Sequence, residues 1–239
     1  MIERCIKRLK QGLSKKITRQ ISLLKPSIKE IEHSIFCINN NSLFDNTLEK
    51  IMIQQKSKGF DGSVPWIVEE LCDEILAKNA LKTEGIFRIN GDHEQMTLLK
   101  IHLDNYDPIS TLDAKTLSKL ECLAFAGVLK LFFRELVEPL LPSKFYFDAC
   151  AEDYDVNKIT EKLKDYPDHY ETLLYLIKFI RKFCRPEVVE KTKMTAANLA
   201  MVWAPNIIRC PSNDPAKILE FTVKEMRFIR DLIENWTIN

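Results

Sequence analysis

Six glycines among 239 residues are too few for a fold built on tight turns, because glycine supplies the positive-φ positions such turns need and usually makes up about 7% of a chain. Strand-like alternation of apolar and polar residues never persists for more than a few positions. Helix start signals, by contrast, recur from Leu43 onward. Ser63 with Pro65 can open a helix to about Leu81. Asp92 followed by Gln95 resembles a capping box for a helix to about Leu103. A long helix is expected from about Asp113 to Leu136, stopping before Glu138-Pro139. Pro142-Ser143 opens a short one. Pro167 opens another, with Leu173, Leu176, Ile177, Ile180 and Phe183 on one face. Thr195 can cap Ala196 to Val202, and Asp214-Pro215 starts a last helix to about Trp236. The expectation is an all-α fold, a single globular bundle of about eight or nine helices with an extra N-terminal helical segment.

The same sequence excludes several chemistries. No G-x-x-x-x-G-K and no G-x-G-x-x-G occurs, so neither common phosphate-cradling loop is present. The seven cysteines are odd in number and widely spaced, which is neither a disulfide framework nor a zinc pattern. His33, His93, His102 and His169 are scattered with no cysteine at ligand spacing, so no metal site and no cofactor is expected. G-x-S-x-G, H-E-x-x-H and a Cys/His nucleophile pair are all missing, so self-contained hydrolysis has no machinery here. The N-terminus has no continuous apolar core of a secretory signal, and the longest apolar stretch, Cys122 to Phe133, is too short to span a bilayer. The expected location is the cytoplasm or the cytosolic face of a membrane.

Charge is unevenly placed. Residues 1–30 hold nine Lys/Arg against Glu3 and Glu30, although the chain as a whole is only +1. Apolar residues at 2, 6, 9, 13, 17, 21 and 24 give this head the amphipathic period of a helix. Asn39, Asn40, Asn41 and Ser42 then read as a linker. The boundary is set there: residues 1–42 as a basic amphipathic segment, residues 43–239 as the folded domain. Two readings of residues 1–35 remain open, an anionic membrane surface or packing on the body or on a second copy of the chain. The mildly acidic body is not expected to bind nucleic acid.

Some residues are out of place in a pure scaffold. Gly85 and Gly91 bracket Arg88 in a short segment between two helices. Glycine on each side lets a loop hold a protruding shape, although Arg88 could equally cap a helix or pair with a surface acid. Lys130 and Arg134 share a helix face at i, i+4, and Gly127 one turn earlier would leave room for another chain. Lys130 lies in an apolar run, where its charge must be paired, with Glu135 or Glu138 nearby, or must face an anionic partner. Asn206 follows Pro205 at the expected end of a helix. It can satisfy loose carbonyls there or aim its amide into a groove.

Together these residues make a pattern. Glu84-Gly85-Ile86-Phe87-Arg88, the run Leu129 to Leu140 containing Lys130, Arg134 and Glu138-Pro139, and the run Lys193 to Asn206 resemble the three signature blocks of the Rho GTPase-activating (RhoGAP) domain family, in its order and about its spacing. The likeness covers about residues 43–239. It implies an all-α domain that binds Rho-, Rac- or Cdc-type small GTPases in their GTP-bound form and speeds hydrolysis. On that likeness Arg88 falls on the family's arginine finger, with Gly85 in its loop. Lys130 and Arg134 fall on the basic pair that supports the loop and contacts the GTPase, and Asn206 falls on an asparagine that touches the GTPase near its nucleotide. The alternative is a catalytically weak module that binds GTP-loaded GTPases as an effector or scaffold. The sequence departs from the family pattern at Ala204 and Asp45, where glycine is usual, and at Asn90, where serine is commoner. A backbone that needed positive φ at 204 would displace Asn206.

Overall fold

The computed structural model of the protein describes residues 42–238. The amphipathic segment expected over residues 1–42 therefore lies, apart from Ser42, outside the described residues. Among the described residues the structure is all helical: eleven α-helices and four short 3-10 turns, with no strand. The helices are α1 Leu48–Ser57, α2 Trp66–Ala77, α3 His93–Asp104, α4 Ala114–Lys119, α5 Cys122–Arg134, α6 Tyr146–Ala149, α7 Val156–Leu163, α8 Pro167–Arg181, α9 Pro186–Thr192, α10 Ala196–Ile207 and α11 Pro215–Asn235. None of the described helices is long and apolar enough to cross a membrane.

α5 is the central element. Phe125, Val128, Leu129, Phe132 and Phe133 are all fully buried, and α2, α3 and α10 pack against it. α11 packs on α10 and α8, and α1 on α8. An aromatic nucleus forms where these elements meet. Trp203 of α10 lies 5.3 Å from Phe87 and 6.3 Å from Phe133, and Phe87 lies 4.9 Å from Phe183.

Several starts are the expected ones. Asp92 accepts from Gln95 N at 2.9 Å, Thr195 from Asn198 N at 3.2 Å, and Asp214 from Ala216 N at 3.0 Å. Pro167 and Pro215 occupy first-turn positions, where a missing N–H costs nothing. Other boundaries differ from expectation. α2 begins at Trp66 and takes no cap from Ser63. Its entry is held by Gln55 of α1, which is fully buried, accepts from Trp66 N at 2.9 Å and donates to Val64 O at 3.1 Å. The helix expected over 113–136 is two, because Leu120 and Glu121 adopt extended backbone, with ψ of 125° and 153°. Leu120 turns into the core there, and Gln95 Oε1 accepts from Glu121 N at 2.9 Å. α10 does not stop at Val202 but runs through Pro205 to Ile207.

Two glycines show how tightly α5 is packed. A Cβ on Gly91 would lie 2.5 Å from Leu123 O and 2.6 Å from Ala124 Cα, both backbone atoms of α5. A Cβ on Gly127 would meet Met96 Sδ at 2.6 Å, the far end of a flexible side chain. Gly127 thus admits Met96 of α3, not another chain as its position had suggested. Gly91→Ala is expected to cost about 1–3 kcal/mol by overpacking, lowering Tm by about 2–4 °C per kcal/mol for a domain of this size. In Gly127→Ala the gain in helix propensity of ~1 kcal/mol offsets the shift of Met96, and Tm should stay near that of the wild type. Thermal melting of both variants checks the contrast.

Candidate functional site

The loop between the 3-10 turn at Ala80–Lys82 and α3 carries Arg88. Its shape comes from two left-handed residues, Gly85 at φ 66° and Phe87 at φ 67°. At Gly85 a side chain would meet both the left-handed penalty and Ile89 Cδ1, 2.7 Å from a Cβ, although Ile89 is exposed and can move. Phe87 is a bulky residue in a region that disfavours side chains, and its burial holds it there. Its ring is fully buried against Phe179, Phe183 and Trp203. With Ile86 and Phe87 driven inward, the next residue faces out. Arg88 is exposed, as are Ile89 and Asn90.

The loop is also pinned through its backbone. Gly85 N donates to Thr192 O at the end of α9 at 2.7 Å. Arg88 N and Ile89 N both donate to Gly85 O, at 2.9 and 2.8 Å. Lys130 Nζ donates to Phe87 O at 2.5 Å. The guanidinium of Arg88 itself has no hydrogen bond or ion pair among the described residues. It neither caps the preceding helix nor pairs with a surface acid.

The two acids that could have neutralised Lys130 are engaged elsewhere. Glu135 pairs with Lys100 at 2.5 Å, and Glu138 accepts from Ser143 N. Burial, helped by the Arg134 charge, pushes the Lys130 ammonium below its ordinary pKa. Arg134 is exposed one turn further on, and its guanidinium has no hydrogen bond or ion pair among the described residues. The result is a face on which Arg88, Lys130 and Arg134 have no acidic partner among the described residues.

Asn206 is placed differently. It is buried, and its Nδ2 donates to Val202 O at 2.7 Å, one turn back along α10. Pro205 inside the helix removes the N–H that would serve Met201 O. The Asn206 amide bonds the next carbonyl along its own helix, Val202 O, rather than the one Pro205 frees, and it makes no hydrogen bond with Arg88, Lys130 or Arg134. Ala204 is an ordinary helical residue and is not among the positive-φ positions, so the added methyl strains nothing. Asp45, by contrast, sits at φ 55°, a conformation short polar side chains tolerate better than most.

The sequence reading did not find the contribution of Thr192 or the left-handed backbone of Phe87. The first acts through a carbonyl, which has no side-chain signature. The second is stabilised by tertiary burial against intrinsic preference.

Comparison with known proteins places this arrangement in context. A family model described as the RhoGAP domain matches residues 65–212. The chain is 33% identical over 212 residues to GTPase activating protein homolog 3 of Dictyostelium discoideum, covering 87% of this chain and 15% of that protein. It is 32% identical over 207 residues to Rho GTPase-activating protein 24 of Rattus norvegicus, covering 82% of this chain and 26% of that one. The chain thus corresponds to a minor part of each relative's length. In fold it is similar to the crystal structure of human Rho GTPase activating protein 15, with a TM-score of 0.69 at 22% identity, covering 88% of this chain and 96% of that one.

Proposed function

Since the chain belongs to the RhoGAP domain family, we propose that it is a GTPase-activating module that docks on a Rho/Rac-type small GTPase in its GTP-bound form and supplies Arg88 in trans. One observation carries this reading. Arg88 is presented outward on a loop pinned by Gly85 N, by Lys130 and by the buried Phe87 ring, and its own guanidinium has no internal use among the described residues.

The chemistry gives the geometry its purpose. Hydrolysis moves the γ-phosphoryl group of GTP from the β-phosphate oxygen to a water. Negative charge builds on the leaving bridging oxygen as that bond breaks. The water loses a proton, and GDP and inorganic phosphate are the products. A guanidinium is always charged, planar and rich in donors, so one group can face both the phosphoryl oxygens and the leaving oxygen. The module performs no hydrolysis itself. It contributes charge to a centre held in the partner. Holding the loop rigid means that little ordering cost falls at the moment of reaction.

Lys130 serves the loop, through Phe87 O, rather than the phosphate. Arg134, exposed and unpaired among the described residues, is suited to meet an acidic side chain of the GTPase. Asn206, bonded to Val202 O through one Nδ2 hydrogen, keeps its Oδ1 and a second N–H for a partner.

The test is phosphate release from a panel of GTP-loaded Rho-, Rac- and Cdc-type GTPases, beside a pulldown on GTP-analogue-loaded forms. Stimulation of at least one member, with capture of its GTP-analogue form, is expected. Capture without stimulation would reduce the role to docking, and absence of both would remove it.

A further inference from the structure

We infer that Arg209 is a positioning residue for GTPase docking: it clamps the end of α5, which carries Arg134, to the end of α10, which carries Asn206. This rests on the proposed function. Arg209 lies two residues past α10, is exposed, and still spends its guanidinium on the protein's own backbone. Nη2 donates to Arg134 O at 2.8 Å and to Leu136 O at 3.0 Å, and Nη1 approaches Val137 O at 3.4 Å.

The target of the clamp explains it. A helix leaves its last carbonyls without intrahelical donors, and its C-terminal end carries partial negative charge. Arg134 O is the last of those carbonyls in α5, and Leu136 O and Val137 O follow just past the helix end. Without donors this stretch would be free to fray, together with the residue that bears the Arg134 guanidinium. One planar multi-donor group satisfies them. A second strut runs beside it, from Leu141 N to Ile207 O at 2.9 Å, and a third from Val137 N to Asn46 O at 3.0 Å. Asn206 is only three residues before Arg209 in the chain. Arg134 and Asn206 share no direct hydrogen bond; the packing of α10 on α5 sets their coarse spacing, and the clamp fixes the rim at their ends. Val137, 58% exposed, stands on the same rim. A surface arginine with no partner-facing role could have been left solvated. Here three backbone contacts, to residues 134, 136 and 137, fix a rim that a partner must match.

A lysine would keep the positive charge but offers a point charge on a flexible stem rather than a fork. That difference separates positioning from direct attraction to the partner. Single-turnover phosphate release is measured against rising concentration of wild type, Arg209→Ala and Arg209→Lys, with melting curves for each. Arg209→Lys keeps a cation at the helix end, so it serves if the alanine variant does not fold. Both variants should raise the half-saturating concentration about tenfold, the worth of roughly one charge-assisted hydrogen bond, with the saturated rate within about twofold of wild type. Unchanged half-saturation in both variants would overturn the inference, and so would full rescue by lysine, which would make Arg209 a direct charge contact. A wild type that stimulates no GTPase would instead overturn the proposed function, and the inference with it.

Discussion

Arg88→Ala should abolish stimulation of GTP hydrolysis, a loss of about 10³–10⁵ in rate or about 4–7 kcal/mol of barrier, while complex formation with the GTP-bound GTPase persists. The asymmetry follows from when the interaction forms. Charge on the leaving oxygen exists only as the bond breaks, so a group that answers it lowers the saturated rate and leaves the ground-state complex nearly alone when lost. The fold gives no reason for collateral damage. The Arg88 side chain is exposed and makes no hydrogen bond among the described residues, so the melting temperature should not move. Titration of phosphate release against the alanine variant, beside a binding measurement, checks both halves.

The second large effect lies one residue earlier. Phe87→Ala should destabilise the protein by about 3–5 kcal/mol, the range for removing a fully buried phenylalanine. The ring is 0% exposed and packs against Phe179 at 6.0 Å, Phe183 at 4.9 Å and Trp203 at 5.3 Å. At about 2–4 °C per kcal/mol the fall in Tm is easily measured. The backbone adds a sharper expectation. At most positions glycine is less stable than alanine, but at φ 67° an alanine carries the left-handed penalty of roughly 1–2 kcal/mol and glycine does not. Phe87→Gly should therefore be no less stable than Phe87→Ala. Both should also weaken stimulation, because the anchor that turns Arg88 outward is gone. A glycine variant clearly less stable than the alanine one would contradict the strained conformation.

How much was readable beforehand differs between fold and site. The all-helical class followed from scarce glycine and frequent caps, and the starts at Asp92, Pro167, Thr195 and Asp214-Pro215 were legible because capping is local chemistry. The break at Leu120 was not legible. Leu120 and Glu121 carry no breaker residue, and the extended turn is stabilised by Leu120 burial and by Gln95 reaching across from α3. Pro205 misled in the other direction. It reads as a stop, yet the helix continues through it, because the missing N–H frees only Met201 O, on an exposed residue where solvent can serve it. In the site, two glycines around Arg88 pointed at the loop. The partner of Lys130 did not show, because it is a backbone carbonyl 43 residues away, while the acids beside it in sequence, Glu135 and Glu138, have other partners. Asn206 was open between capping and reaching outward, and the structure places its amide on Val202 O.

The central claim is that one fork-shaped cation, not mere docking or positive charge, accelerates hydrolysis in the partner. Single-turnover phosphate release from a GTP-loaded GTPase with the chain in saturating excess, wild type against Arg88→Lys, tests it most directly. The expected result is acceleration of about 10³–10⁵-fold by the wild type and a rate near that of the unassisted GTPase with the lysine variant, although both saturate the GTPase. A lysine variant as fast as the wild type would contradict it.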